Sequence, residues 1–345
     1  MSIVKNKSCK LSDVAKKAGL SIATVSQILN NKPCNYSSEE TRQRVRLIAK
    51  ELGYRTNFGY RLMQGQNTHT VAIMVAEAYA NSEEHYNRLI INLMNKFDQL
   101  DYSVYFKVLT YSVEENLDKV RELISRGVEH FVFLGDPVGH LEIEKEIENN
   151  GRSLVGFGTW LKRYVCVHST SGVIAILRFF LNEGRKFRFV CPGNQLCKDN
   201  TRIMALQCLF PELAFEQIVD RYVLVTKDVN FSLKSLATDL SAIGWESASE
   251  LIKEFPQVNA WYFMTDYMAI GGANFLTKNG FEVGKDILVA GFNNVLATEL
   301  YPFPISSVEH DMDKLVSLMV EESLVNTPCQ HIIEPVVHIR TRNVN

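Results

Sequence analysis

Across its 345 residues the chain has no apolar run of the length that crosses a bilayer as a helix, which takes about 20 residues. It also lacks the signatures of several large enzyme classes. There is no GxSxG and no HExxH, the motifs of nucleophile-elbow hydrolases and zincin proteases. FEVGKDIL lacks the upstream glycine of a phosphate-binding loop, and GFG (156–158) and IGGAN (270–274) are not followed by the rest of a dinucleotide fingerprint. The seven cysteines form no CxxC pair, and Cys191 and Cys197 stand too far apart for zinc spacing. They read as reduced, mostly buried thiols of a cytoplasmic protein. The eight histidines are scattered along the sequence. The opening MSIVKNKSCKLSD holds no apolar signal segment. No solenoid repeat or low-complexity tract occurs. No cofactor, metal site or membrane association is expected, and an enzyme is the disfavoured class.

What is present is an ordinary soluble composition, 46% hydrophobic and 22% charged, in a chain long enough for more than one domain. The near-neutral total of −2 conceals a split. Residues 1–65 hold twelve Lys and Arg against four Asp and Glu, a net +8, and residues 66–345 hold 25 against 35, a net −10. A basic head on an acidic body points to contact with phosphates by the head alone.

The head reads as three short helices. Leu11, Val14, Ala15 and Ala18 fall at helical spacing, Asp13 sits in the first turn where a carboxylate suits the helix dipole, and Gly19 ends the helix. Ser21 caps a second helix over Ile22–Asn30, whose apolar face is Val25, Ile28 and Leu29. Ser37 or Ser38 caps a third, with Glu39 and Glu40 in its first turn, Val45, Ile48, Ala49 and Leu52 as its buried stripe, and Gly53 closing it. Helix, tight glycine turn and short second helix make the helix-turn-helix pattern. An isolated match is common by chance, and Ile22 alone could be core. Here caps, turn glycines and charge agree in order.

The motif DVAKKAGLSIATVSQILNN…SSEETRQRV…AKELGY closely resembles the head of the LacI/GalR (lactose-repressor-like) transcription regulators over residues 10–65, and more weakly to the C-terminus. The resemblance implies a homodimeric repressor that reads a near-palindromic operator in double-stranded DNA and binds a small effector between two core lobes. It places Ile22, Ala23 and Gln27 at base-reading positions in the major groove. Ser21, Thr24, Asn30 and Tyr36 fall where relatives hold phosphate or brace the recognition helix. Gln27 is suited to bidentate pairing with adenine, and Ile22 and Ala23 to apolar contact such as a thymine methyl. Many relatives carry Arg where Gln27 stands, so a different operator is expected. Residues 56–65 resemble the family's hinge helix, with Met63 at the position of an apolar wedge inserted into the minor groove. Thr56 stands where Pro is usual, and Gly59-Tyr60 where small helix formers are usual; a plain flexible linker is the alternative.

Beyond residue 70 apolar runs alternate with amphipathic helices. In the first series come VAIMVA (71–76), a helix over 86–100, SVYFKVL (103–109), a helix over 113–126, HFVFLG (130–135), a helix over 142–150 and SLVGFG (153–158). A second series after Val167 has helices over 171–183, 199–209, 245–254 and 267–279. Its strands are FRFVCPG, YVLVT, AWYFMT and DILVAGF. Continuous apolar strands joined by helices mean parallel, doubly wound sheets. The expected fold is therefore an N-terminal all-α helix-turn-helix head plus an α/β two-lobed, periplasmic-binding-protein-like core. Residues 1–55 are the head, 56–69 the hinge and 70–345 the core. Lobe 1 takes about 70–166 and 298–328, and lobe 2 about 167–297 and 329–345, with the last strand, near HIIEPVVHIR, joining lobe 2. No leucine heptad follows Arg342, so a tetramer built on such a coil is not expected.

Two such lobes make a hinged small-molecule site between strand C-termini. Glu77, Tyr79 and Asn81 follow the first strand and are expected to face it. Arg202, in TRIMALQC, matches the family's cleft arginine, suited to paired oxygens. Thr265, Asp266 and Asn293 match the ends of later strands. Trp160 stacks on a ligand or is an ordinary packed aromatic. Gly158, His168-Ser169 and Asn293-Asn294 stand where relatives carry carboxylates that accept from sugar hydroxyls, and Ala205 replaces a usual glycine. The effector is then a sugar or an anionic metabolite. Two other readings stay open: a regulator whose core answers to a protein partner or has lost ligand sensing, and a ligand-binding protein with a vestigial head.

Overall fold

The computed structural model describes residues 9–29, 37–54, 67–80, 84–229 and 236–341. The chain divides into two compact units, Met1–Thr68 and His69–Asn345. In the first unit α1 (Leu11–Ala18), α2 (Ile22–Leu29) and α3 (Glu39–Glu51) close one small core of Val14, Ala15, Ala18, Val25, Ile28, Val45, Ile48 and Ala49. Asp13 accepts from the Lys10 N–H at 2.8 Å and so closes the start of α1. Gly19 ends it at φ 66°. Of the two candidate caps of α3, Ser38 accepts from the Thr41 N–H at 3.2 Å, while Ser37 accepts from Arg42 Nε at 3.2 Å. Arg44 of α3 donates to the Ala18 carbonyl at 3.1 Å, one of the orphan acceptors a helix end leaves.

The second unit contains both lobes. Lobe 1 opens with β1 (Thr70–Ala76), α4 (Glu77–Ala80), α5 (Glu84–Gln99), β2 (Ser103–Leu109), α6 (Val113–Ser125) and β3 (His130–Leu134). It continues through α7 (His140–Asn149), β4 (Ser153–Phe157) and β5 (Tyr164–Val167). Every residue of β1 is buried because both faces are covered. Val71, Ile73 and Val75 join one apolar cluster, and Ala72 and Met74 join the other. This is why the strand reads as a continuous apolar run rather than an alternating one.

Lobe 2 contains α8 (Ser169–Asn182), β6 (Phe187–Pro192), α9 (Met204–Leu209), α10 (Phe215–Tyr222), β7 (Val223–Thr226) and α11 (Leu236–Glu254). β8 (Ala260–Phe263), α12 (Asp266–Lys278), β9 (Leu288–Phe292), α13 (Leu296–Leu300) and β10 (Ile305–Glu309) follow. The chain then passes through α14 (Met312–Ser323), β11 (Gln330–Ile333) and β12 (Val336–His338). The sheets run β11-β5-β4-β3-β1-β2 and β12-β10-β9-β8-β6-β7. All pairings of the first are parallel. No described helix is long and apolar enough to cross a membrane.

Several expected boundaries are corrected. The segment 298–309 stays in lobe 2, where β10 pairs with β9. Of the expected 298–328 segment, the part from α14 onward adds to the core of lobe 1, through Met312, Leu315, Val316 and Met319. HIIEPVVHIR divides between the sheets: β11 pairs with β5 in the first, and β12 pairs antiparallel with β10 in the second. Pro335, which cannot donate to a ladder, stands between them. The second sheet is therefore not wholly parallel. β5 is a strand where none was expected, α9 starts at Met204 rather than 199, α10 was not anticipated, and α11 begins well before 245.

Candidate functional site

The C-terminal ends of strands from both sheets open onto one cavity of about 660 Å³. Its lobe 1 wall is aromatic. Tyr79 of α4 and His85 and Tyr86 at the start of α5 line it, together with Phe157, Gly158 and Trp160 at the end of β4. The rings touch in series: Tyr79 to Tyr86 at 4.9 Å, Tyr86 to His85 at 4.4 Å and Tyr86 to Phe157 at 6.1 Å between centroids. Trp160 is stacked on Phe133 at 6.3 Å and meets His140 edge-on at 5.6 Å. Its lobe 2 wall carries most of the polar groups, Gln195, Asp199, Asn200, Thr201, Arg202 and Thr265, beside Pro192, Leu240 and Met264.

At the junction of the lobes sits His310, between β10 and α14. Its ring is 8% exposed and meets His85, Phe157 and Phe292 edge-on at 5.4, 5.6 and 5.6 Å. Its buried Nδ1 has no hydrogen-bond partner among the described residues. Burial, with the charges of His85 and Arg202 nearby, holds this imidazole well below its ordinary pKa, in the neutral form. The Arg202 guanidinium lies over the Phe292 ring at 3.9 Å, a cation–π contact, and donates to the Met264 carbonyl. Its backbone N–H donates to Asn200 Oδ1 at 3.0 Å.

Of the expected cleft residues, Tyr79, Arg202 and Thr265 line the cavity. Thr265 also caps α12, accepting from the Met268 N–H at 3.4 Å. Asp266 faces the other way. It is fully buried, with Oδ2 accepting from the Val295 N–H at 2.9 Å and Oδ1 from the Ser307 hydroxyl at 2.7 Å. Burial pushes its carboxyl up to about 7, against the pull of those hydrogen bonds and of Arg340 and Arg202. Its position after a strand end suited the cleft, but the loop at 293–295 folds over it. Asn293, 4% exposed at φ 100°, is not among the lining residues, nor is Glu77. Asn81 lies outside the described residues. His168 stands at the crossover into lobe 2, 3.5 Å from Glu334.

Sequence reading missed His85, Tyr86, Phe157 and His310. Phe157 follows the general rule that strand C-termini face the crevice. His310 carried no such signal, since its strand was assigned to the wrong lobe.

In the head, α2 separates its faces cleanly. Val25 and Ile28 are buried, while Ser21, Ile22, Ala23 and Gln27 are exposed; Ile22 is 53% exposed and so is not core. The Ser21 hydroxyl accepts from the Thr24 N–H at 3.1 Å and shares a hydrogen bond with the Thr24 hydroxyl at 2.8 Å. Asn30, Tyr36 and Met63 lie outside the described residues.

Residues 10–57 match the family model described as bacterial regulatory proteins, lacI family. Residues 182–340 match the one described as a periplasmic binding protein-like domain. The chain is 26% identical over 325 residues to the HTH-type transcriptional regulator RegA of Clostridium saccharobutylicum, covering 90% of this chain and 91% of that one. It is 28% identical over 320 residues to the HTH-type transcriptional regulator GalR of Streptococcus thermophilus, 86% of each. Among solved structures, a lac repressor dimer bound to operator and the anti-inducer ONPF superimposes with a TM-score of 0.70 at 17% identity, over 98% of this chain and 100% of that one. A complex of the transcriptional regulator CelR with cellobiose does so with a TM-score of 0.60 at 19% identity, over 96% and 99%. At these identities the structural likeness shows the shared fold.

Proposed function

This chain belongs to the lacI family of bacterial regulatory proteins, and from that premise we propose that it is a sequence-specific DNA-binding transcription regulator, acting as a homodimeric repressor whose operator affinity is set by a small effector held between the core lobes. The carrying observation is the outward face of α2, where Ile22, Ala23 and Gln27 are exposed while Val25 and Ile28 seal the core beneath them. An exposed isoleucine beside a glutamine costs little in water and has a use in a major groove.

In this reading Gln27, Ile22 and Ala23 meet base edges, and Ser21 and Thr24 meet the backbone beside them. Asn30 and Tyr36 support that contact, and Met63 wedges the minor groove. The effector shifts operator affinity only by binding the two core states unequally. The relatives are named as regulators, and no catalytic role is assigned to this chain.

Selection of binding sites from random duplex DNA with the full-length protein, at near-physiological salt, tests the reading. A recovered palindrome with two equal half-sites is the expected result. If binding shows neither a motif nor salt dependence, with or without added metabolites, the head is vestigial.

A further inference from the structure

Arg202 carries a full positive charge at the cavity wall, and no carboxylate among the described residues forms an ion pair with it. Its contacts are an aromatic ring and a carbonyl, which leave most of its N–H fork unspent. Among the described residues two carboxylates line the cavity, Asp136 and Asp199. Asp136 is held by His140 Nδ1 at 2.9 Å, and Asp199 stands exposed in the loop before α9. Asp266, the buried acid closest in sequence to the Met264 carbonyl, spends both oxygens inward on Val295 and Ser307. Two imidazoles, His85 and His310, line the same cavity, and their rings meet at 5.4 Å. A guanidinium without an ion-pair partner among the described residues attracts negative charge.

We propose that the cleft takes an anionic effector, a small molecule carrying a phosphate or carboxylate group, which Arg202 receives through its N–H fork with the His85–His310 pair beside it. This rests on the reading of the cleft as the effector site. The groups facing His310 are His85 from α5, Arg202 from the loop before α9, and the rings of Phe157 and Phe292. None of these is an acid. An incoming anion offsets the positive charges that add to burial in keeping His310 neutral, so binding is expected to take up a proton.

Calorimetric titration of the full-length protein with glucose 6-phosphate, gluconate and glucose, at constant ionic strength, tests this. At least one of the two anions is expected to bind about tenfold or more tighter than glucose. Its heat should change with the ionisation enthalpy of the buffer, reporting proton uptake. Which anion binds decides between phosphate and carboxylate. Arg202→Gln should abolish the preference, and Arg202→Lys, which keeps the charge but not the fork, should retain part of it. Near-UV circular dichroism checks that both variants fold. Binding of glucose as tight as that of the anions overturns the anionic class and leaves the cleft reading standing. Anion binding undiminished in both variants moves the anion off Arg202 and overturns it as well. Silence from both anions also overturns it; the cleft reading falls separately if Trp160 fluorescence answers to no compound in a wider metabolite set.

Discussion

The indole of Trp160 lies so close to Gly158 that a Cβ at position 158 would stand 2.5 Å from its Nε1. Gly158 also takes φ +127°, a backbone conformation that side chains strain. The missing side chain is thus the seat of an aromatic ring in the cleft wall.

Gly158→Ala should therefore do two things at once. It should lower core stability by about 1–3 kcal/mol, and it should displace the indole, changing the intrinsic fluorescence of Trp160. A variant with wild-type stability and emission would show that the loop yields freely and that the ring is not seated.

Asp266 makes stability depend on pH. Its folded-state pKa is raised to about 7 from 3.8, so between these values the folded protein holds a proton that the unfolded chain has released. Its contribution to stability is present below the ordinary carboxylate value and is lost as pH rises towards 7. The loss is at most on the order of 4 kcal/mol. In Asp266→Asn the amide oxygen accepts from Val295 and the amide nitrogen donates to Ser307. Urea titrations across this window should give a flatter profile than wild type; parallel profiles would mean that Asp266 is charged throughout.

His310 acts in the opposite direction. Its pKa is depressed below 6.5, so the unfolded chain gains a proton first on acidification. The associated stability is present above 6.5 and is lost as pH falls below it. His310→Phe suits the ring cage and has no proton to gain, so its acid-side loss of stability should be the smaller. An unchanged acid limb would place the sensitivity elsewhere.

Helices α11 and α12 approach backbone to backbone. A Cβ on Gly271 would stand 1.9 Å from the Ser241 carbonyl oxygen, and one on Gly244 would stand 1.9 Å from that of Met268. A carbonyl in a helix cannot rotate aside as a side chain does. Gly271→Ala should cost about 3 kcal/mol or more, read as a lowered urea midpoint of the core. A loss no larger than an ordinary surface change would mean that the helices slide apart at little cost.

Gln27→Ala should relax specificity at one base pair per half-site, by about 1–3 kcal/mol, while leaving salt-dependent affinity for random DNA in place. Comparing motifs selected by the two proteins checks this. An identical motif would remove Gln27 from the base-reading set.

The head was legible in the sequence because its signals are local. Caps at Ser21 and Ser38, the turn at Gly19 and the spacing of Val14, Val25 and Val45 all act within a few residues, and three short helices have few ways to cover one apolar stripe each. The alternation of buried strand and helix in the core was legible for the same reason. What the sequence could not decide is which sheet a strand joins. HIIEPVVHIR reads as one strand, yet Ile333 is buried in lobe 1 and Val337 packs against lobe 2, because pairing depends on partners far away in the chain. The same applies to side-chain direction at the cleft. Asp266 follows a strand end as a ligand-facing residue would, but the hydroxyl of Ser307 and the N–H of Val295 draw it inward. Local spacing determined the head and the layers. Long-range closure of the two sheets decided that His85 meets His310 and that Arg202 lies over Phe292 at the cavity wall.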